Sequence, residues 1–194
     1  MRPGRPRGFE RREALDAALK VFWERGFEET SIADLERCLG VGRQSLYNAI
    51  GDKRCVFVAA LQRYAEQYLQ PQIEALLGAS SPTEGLRLWL DGWLTATCEH
   101  SPGCLVANTM ASPAASDPEI RAAIEGQVAR LKDALEQTLR KAQQDLKRPP
   151  VLDAKTVAEA LVALQVGRSL QGRVIAPDIE ALRRAAEHLI ASAL

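Results

Sequence analysis

Residues 30–53 constrain the fold of this 194-residue chain more than any other stretch. Ser31 and Asp34 have the spacing of a capping box, in which two side chains satisfy backbone N–H groups at a helix start. Apolar residues at three- and four-residue steps then predict one buried helix face. These residues are Ile32, Leu35 and Leu39. Gly40 suits the left-handed backbone that ends a helix, so residues 40–42 predict a tight turn.

A second short helix is predicted after this turn, at about residues 43–50. Leu46 and Ile50 share its apolar side, and polar residues face outward. These are Arg43, Gln44, Ser45, Tyr47 and Asn48. Such side chains read base edges and hold phosphates, with Arg suited to guanine and Gln to adenine. The pattern predicts a helix-turn-helix, although Tyr47 at the edge of the core and a solvated Asn48 remain alternatives.

The pattern of residues in this region resembles that of the DNA-binding domain of the TetR family of bacterial transcriptional regulators. These residues are Phe22, Gly26-Phe27, Thr30-Ser31-Ile32, Leu39-Gly40-Val41, Ser45-Leu46-Tyr47 and Gly51-Asp52-Lys53. The resemblance covers roughly the first third of the chain and implies phosphate contacts by Tyr47 and Lys53. Thr30 is a further candidate for a phosphate contact. Gly42 departs from the family, which usually has Ser or Thr there, but glycine is tolerated as a helix cap.

The basic N-terminal segment at residues 1–8 is predicted to be a flexible arm. Lys plus Arg equal Asp plus Glu, so the overall charge does not indicate a nucleic-acid partner. The arginines before Glu13, in contrast, face a single acidic residue, Glu10. We expect Arg5 and Arg7 to enter a minor groove, where arginine finds an enhanced negative potential. The alternative is a solvated tail without a DNA contact.

The whole chain is predicted to be all-α, because Ala and Leu dominate over β-branched residues. Nine helices without strands are expected. The TetR resemblance implies three helices for DNA and six for effector binding and dimerisation. We divide the chain into an arm (1–8), a helix-turn-helix domain (9–55) and an effector-binding and dimerisation domain (56–194). Asp52 is expected to cap a long helix, and Pro71 to kink or break it near Gln70.

The last two predicted helices, within residues 153–194, are rich in Ala and apolar on more than one side. Helices of that kind need two neighbours, and a terminal pair can form a four-helix interface with its symmetry mate. We therefore expect a homodimer that contacts successive major grooves of a pseudo-palindromic operator.

An apolar ligand cavity is expected in the larger domain, because aromatic and polar residues recur on its helix faces. The candidate lining residues are Tyr64, Tyr68, Trp89, Trp93, Cys104, Asn108, Met110, Gln127, Gln165 and Arg168. The alternative is that the aromatic rings only fill the core, since core and cavity occupy the same helix faces. The effector itself is expected to be a small apolar or electrophilic molecule.

Cys104 follows Pro102-Gly103 and is similar to a cysteine through which some TetR-family branches sense electrophiles or oxidants. A thiol in a first helical turn is expected to have a lowered pKa and to be reactive. The competing interpretation, a small buried apolar residue, is favoured. Cys98, His100 and Cys104 form a Cys-x-His-x3-Cys pattern, which is too weak to indicate a metal site. No metal and no cofactor are predicted.

Enzyme classes find little support in the sequence. The two histidines lack the Glu-x-x-His spacing of a metal bundle, and no phosphate loop or nucleophile elbow is present. No stretch is apolar enough to span a bilayer, so a cytoplasmic protein is expected. We predict a dimeric DNA-binding regulator, a repressor released by a small molecule or thiol modification. The alternative is an effector-independent or architectural DNA-binding dimer, followed distantly by an all-helical enzyme or metal bundle.

Overall fold

A computed structural model describes residues 7–40, 44, 51–95, 102–144 and 149–194, with side chains from Arg12 onward. These ranges contain eight helices and no strand. They are α1 (Arg7–Glu29), α2 (Ile32–Leu39), α3 (Lys53–Tyr64, continued through Ala65–Leu69 and Gln70–Leu77), α4 (Pro82–Thr95), α5 (Leu105–Met110), α6 (Pro118–Gln144), α7 (Ala154–Gln171) and α8 (Ile179–Ala193). The all-α prediction is confirmed. The one predicted helix missing from these eight is the second helix of the helix-turn-helix, at about residues 43–50, of which only Gln44 is described. No helix in these ranges is long and apolar enough to cross a membrane.

The first two helices have the predicted local signals. The Ser31 hydroxyl accepts a hydrogen bond from the Asp34 backbone, and the Asp34 carboxylate accepts one from the Ser31 backbone, which confirms the capping box. The Ser31 hydroxyl also donates to the Asp34 carboxylate at 2.6 Å, and this bond, together with the one from the Ser31 backbone, lowers the pKa of Asp34 to about 2. Gly40 ends α2 at φ 63°, in the left-handed region. Gly26, at φ 81°, interrupts the helical backbone of α1 and turns the chain towards α2.

Helix α3 is continuous from Lys53 to Leu77 but changes register in its middle. Asp52 caps it by accepting from the Cys55 backbone, as predicted. Near Pro71 the helix is not broken. Residues 65–69 adopt a π-helical turn, and the helix continues beyond it. The N–H of Gln70 bonds to the oxygen of Ala65, five residues back. A proline lacks the backbone donor of a regular helix, and the wider turn absorbs this defect just before Pro71.

Two apolar clusters form the interior. The head core joins α1, α2 and the first part of α3 to α5, α6 and the turn between them. Its buried members are Ala18, Leu19, Phe22, Leu35, Val56, Phe57, Ala60, Leu61, Tyr64, Leu105, Val106, Ala114, Ile120 and Ile124. The C-terminal core joins the end of α3 to α4, α6, α7 and α8. Its largest fully buried side chains are Leu76, Leu86, Trp89, Leu135 and Leu139.

Polar contacts also tie the first helices to the rest of the chain. The guanidinium of Arg63, which is buried, donates to the Asp16 carboxylate at 2.6 and 3.1 Å. The Glu28 carboxylate accepts from the Ala114 backbone at 2.7 Å. Arg54 pairs with Glu119 at 3.3 Å, at the start of α6. Helix α1 is therefore held to α3 by an ion pair and to the turn before α6 by a hydrogen bond, and α3 is held to the start of α6 by a second ion pair.

Candidate functional site

A cavity of about 360 Å³ lies where the head core meets the C-terminal core. Side chains of α1, α3, α5 and α6 reach it from the head core, and side chains of α4, α6 and α7 from the C-terminal core. Its wall comprises Trp23, Tyr64, Tyr68, Leu69, Gln72, Gly92, Trp93, Gly103, Cys104, Val106, Ala107, Gln127, Val128, Leu131, Val162, Gln165, Val166, Arg168 and Ser169. A volume within roughly 300–1,000 Å³ is typical of sites that enclose a small molecule.

Three aromatic rings form one side of the cavity. Tyr64 and Tyr68 stack with ring centroids 4.8 Å apart and planes at 29°. Trp23 meets both edge-on, at 5.2 Å from Tyr64 and 4.9 Å from Tyr68. Tyr64 and Tyr68 lie at and within the π-helical turn of α3, which therefore shapes this wall. The arrangement presents flat apolar faces and edges to a ligand.

Trp23 connects the cavity to the helix-turn-helix region. It lies on α1, three residues before Gly26, and its indole N–H donates to the carbonyl oxygen of Gly103 at 2.6 Å. Gly103 itself has φ 82° and immediately precedes the cavity-lining Cys104. A single side chain of the first helix thus forms part of the cavity wall and holds the loop on its far side.

Two glutamines supply polar groups to the wall. Gln127 is buried on α6, and its Nε2 donates to the carbonyl of Leu61 at 2.9 Å. Gln165 on α7 donates through Nε2 to Oε1 of Gln72 at 3.3 Å. Both amide nitrogens are thus held by α3. The Oε1 atoms of Gln127 and Gln165 are buried without a hydrogen-bond partner among the described residues.

A cation and a phenol complete the polar part of the site. Arg168 is buried on α7, donates to the carbonyl of Leu94 at 3.2 Å and lies 5.9 Å from the ring centroid of Trp93. Burial raises the pKa of Tyr64, and the neighbouring Cys104 raises it further. The Tyr64 hydroxyl is therefore neutral at physiological pH.

Of the ten effector residues expected from the sequence, three lie off the cavity wall. Trp89 is 1% exposed in the C-terminal core, and Met110 is 43% exposed at the end of α5. Asn108 donates to the carbonyl of Pro102 at 2.6 Å and holds the loop before α5. The remaining seven line the cavity. They are Tyr64, Tyr68, Trp93, Cys104, Gln127, Gln165 and Arg168.

The sequence did not single out Trp23 or Gln72 as lining residues. Trp23 falls within the predicted helix-turn-helix domain. Its helical spacing gives no sign that α1 packs against the tyrosines of α3. Gln72 follows Pro71, where a break was expected. Only the π-helical turn, which rotates the residues after it, explains how Gln72 and Leu69 reach the wall.

The candidate DNA contacts fall largely outside the described residues. Arg5, Arg43, Ser45, Tyr47 and Asn48 lie there, and of Arg7 only the backbone is described, as the first residue of α1.

For three of these candidates the structure describes both the backbone and the side chain. Gln44 is exposed. Thr30 is fully buried, and its hydroxyl donates to the Gly26 carbonyl at 2.7 Å. In this conformation the Thr30 hydroxyl closes the turn after α1. Lys53 donates to the Glu28 carbonyl at 3.3 Å, and its ammonium lies 4.4 Å from the Phe27 ring centroid. Burial lowers the pKa of Lys53.

The described cysteines are free thiols. Cys104 is the residue just before α5, with extended backbone, rather than a residue of its first turn. Cys98 and His100 lie outside the described ranges, so the predicted Cys-x-His-x3-Cys pattern cannot be placed. Within those ranges, no group of His, Cys, Asp or Glu side chains is arranged to hold a metal ion.

Two family models match the chain. The bacterial regulatory proteins of the tetR family match residues 14–60, and the tetracyclin repressor-like C-terminal domain matches residues 82–189. The HTH-type transcriptional repressor ComR of Escherichia coli is 30% identical over 176 residues, which span 88% of this chain and 82% of ComR. A second repressor of that organism, BdcR, is 40% identical over 62 residues, 32% of each chain.

Solved structures agree with these matches. The TetR family regulator CifR, as a cysteine mutant bound to 26-base-pair operator DNA, superposes with a TM-score of 0.76 at 29% identity, covering 96% of this chain and 98% of CifR. The reduced form of Escherichia coli NemR shares the fold, with a TM-score of 0.79 at 22% identity over 93% of this chain and 95% of NemR. The chain therefore belongs to the TetR family of DNA-binding transcriptional regulators.

Proposed function

We propose that this regulator is a homodimeric repressor whose operator affinity falls when a small molecule occupies the cavity between the two cores. The observation that carries the proposal is the position of Trp23. Because Trp23 lies on α1 and also forms part of the cavity wall, a ligand that moves this ring acts directly on the helix that supports the DNA-binding region. The alternative, a DNA-binding dimer without an effector, gives no role to a cavity of this size.

Release from the operator requires a ligand that favours the geometry unable to bind DNA, since equal affinity for both geometries would change nothing. Couplings between sites in proteins are typically about 5- to 150-fold in affinity. Thiol modification of Cys104 would act from the same wall and is a second way to occupy this space.

Dimerisation is proposed through α7 and α8. Several of their apolar side chains are only partly buried against the C-terminal core, namely Leu164, Leu182, Leu189 and Ile190. A side chain added at Gly167, on the same pair of helices, would point into open space. Such a face of leucine and small residues fits a symmetric four-helix contact. In such a dimer, we propose that the DNA-binding regions of the two protomers contact successive major grooves, and that Arg5 and Arg7 enter a minor groove. The residues proposed for the major-groove contact are Arg43, Gln44, Ser45, Tyr47, Asn48 and Lys53.

A pair of tryptophan variants tests the coupling. Operator DNA is first selected from random double-stranded DNA, and affinity is then measured by fluorescence anisotropy. Trp23→Phe keeps an aromatic ring but loses the hydrogen bond to Gly103, so we expect operator affinity to change about fivefold or more. Trp89→Phe, a buried tryptophan off the cavity wall, is the matched control and should leave affinity unchanged. Identical operator affinity in wild type and both variants would refute the coupling.

Sedimentation of the same protein–DNA complex tests the dimer. We expect two protomers on each operator, with a footprint of two half-sites about one helical turn apart. A complex of one protomer on one half-site would contradict the proposal.

A further inference from the structure

The polar atoms left over in the cavity wall indicate what kind of molecule it binds. Oε1 of Gln127, Oε1 of Gln165 and Nε1 of Trp93 are buried and have no hydrogen-bond partner among the described residues. A buried polar atom left unpaired costs free energy, so such atoms mark the positions where a ligand gains most. Two of the three are acceptors.

The orientation of both amides is fixed by neighbouring groups. The Leu61 carbonyl can only accept, so the group of Gln127 that faces it must be the NH₂, and the oxygen is the atom left without a partner. Gln72 donates to the carbonyl of Tyr68 at 2.8 Å, which turns its own oxygen towards the NH₂ of Gln165. Neither glutamine can therefore flip to present a donor without losing a hydrogen bond.

Apart from Gln72, Arg168 and Ser169, most of the remaining wall is aromatic or aliphatic. Trp23, Tyr64 and Tyr68 form one group of rings, Trp93 on α4 supplies a further ring, and valine and leucine side chains line other parts of the wall. A flat apolar body is complementary to such a wall. The volume of about 360 Å³ accommodates a body of one or two fused rings.

We propose that the effector is a neutral aromatic hydrogen-bond donor, a phenol or an N–H heterocycle of one or two rings, whose donor hydrogen is accepted by the side-chain oxygen of Gln127 or of Gln165. The inference rests on the proposed function in taking this cavity as the effector site. An ether or quinone of the same shape offers only acceptors and would leave both glutamine oxygens unpaired. A carboxylate would place negative oxygens against them.

Three related probes test this class of ligand by calorimetry on the full chain. They are 2-naphthol, 2-methoxynaphthalene, which has the same rings without the donor, and 2-naphthoate. We expect 2-naphthol to bind at least about tenfold more tightly than either of the others, a difference that corresponds to one buried hydrogen bond. Equal affinity for 2-methoxynaphthalene, tighter binding of 2-naphthoate, or no binding of 2-naphthol would each overturn the proposal.

Glutamine variants assign the preference to specific side chains. At least one of the substitutions Gln127→Leu and Gln165→Leu should reduce the preference for 2-naphthol over 2-methoxynaphthalene. Gln143→Leu is the control, because Gln143 lies on the same helix as Gln127 but bonds to the Ala193 carbonyl, away from the cavity. An unchanged preference in both cavity variants would contradict the assignment. If a variant does not fold, the preference of the wild-type protein for 2-naphthol over 2-methoxynaphthalene still tests the proposed ligand class.

Operator binding is measured in the same samples to separate this inference from the proposed function. If 2-naphthol binds with the expected preference and operator affinity is unchanged, the ligand class stands and effector-controlled release is wrong. If the donor preference is absent while 2-methoxynaphthalene releases the operator, release stands and the ligand class is wrong.

Discussion

The head core and the C-terminal core differ in which parts of the chain supply their residues. The C-terminal core is built entirely from residues after Leu69. The head core, in contrast, needs Leu105, Ile120 and Ile124 from the later part of the chain to complete the packing around α1 and α2. The helices that lead into the DNA-binding region therefore do not form a self-contained apolar unit.

This difference has a consequence for signalling. Packed interiors are dense and do not deform gradually, so the head can turn only if α5 and the start of α6 move with it or if their contact repacks. The cavity lies beside that contact, between the two cores. A ligand there touches a region in which both cores meet around empty space.

Truncating one side chain in each core gives the largest expected effects. Ile120 and Leu139 both lie on α6 and are fully buried, the first in the head core and the second in the C-terminal core. Replacing either by alanine should lower the free energy of unfolding by about 2–5 kcal/mol, measured by urea denaturation at one protein concentration. Only Ile120→Ala should also weaken operator binding by the folded protein.

The comparison between the cores would fail if Leu139→Ala weakened operator binding as much as Ile120→Ala. That outcome would mean that the head responds to the stability of the whole interior rather than to its own packing.

A glycine in the C-terminal core gives an intermediate effect. A Cβ atom at Gly85 would lie 2.2 Å from the Leu76 carbonyl oxygen, so α4 and the end of α3 would have to separate. Gly85→Ala should cost about 1–3 kcal/mol in urea denaturation. Gly126→Ala is the control, because a Cβ atom there meets open space and should stabilise the helix by up to about 1 kcal/mol. Equal effects of the two substitutions would show that the helices are not packed this closely.

The ion pair between α1 and α3 gives a smaller, pH-dependent effect. The hydrogen bond from Arg63 lowers the pKa of Asp16, so the pair stabilises the fold above the ordinary aspartate pKa of about 3.9 and this contribution disappears as pH falls below it. Asp16→Asn should cost about 1–2 kcal/mol at neutral pH. The difference from wild type should shrink in urea titrations below about pH 4. A constant difference would show that the charge on Asp16 is unimportant.

Local features of the sequence predicted much of the head. The capping box of Ser31 and Asp34, the left-handed Gly40 and the cap formed by Asp52 all depend on residues within a few positions of each other. Such signals act before any tertiary contact forms, so they can be read from the chain. The TetR resemblance then supplied the order of the helices.

Features that depend on packing could not be predicted in the same way. Lys53 folds back over Phe27, and Thr30 turns inward to the Gly26 carbonyl, because α1, α2 and α3 crowd together at that corner. Trp23 reaches the cavity only because the tyrosines of the π-helical turn lie beside it. Periodicity places a residue on a helix face but does not tell which other helix that face meets.

Filling the cavity without a ligand tests the central claim most directly. Ala107 is fully buried on α5 and lines the cavity, so Ala107→Leu places a larger side chain where the effector is proposed to bind. If occupancy of this space is communicated to the head, the folded variant should bind its operator at least about fivefold more weakly than wild type in fluorescence anisotropy. Operator affinity equal to that of wild type, with a crystal structure showing the added side chain inside the cavity, would contradict the account.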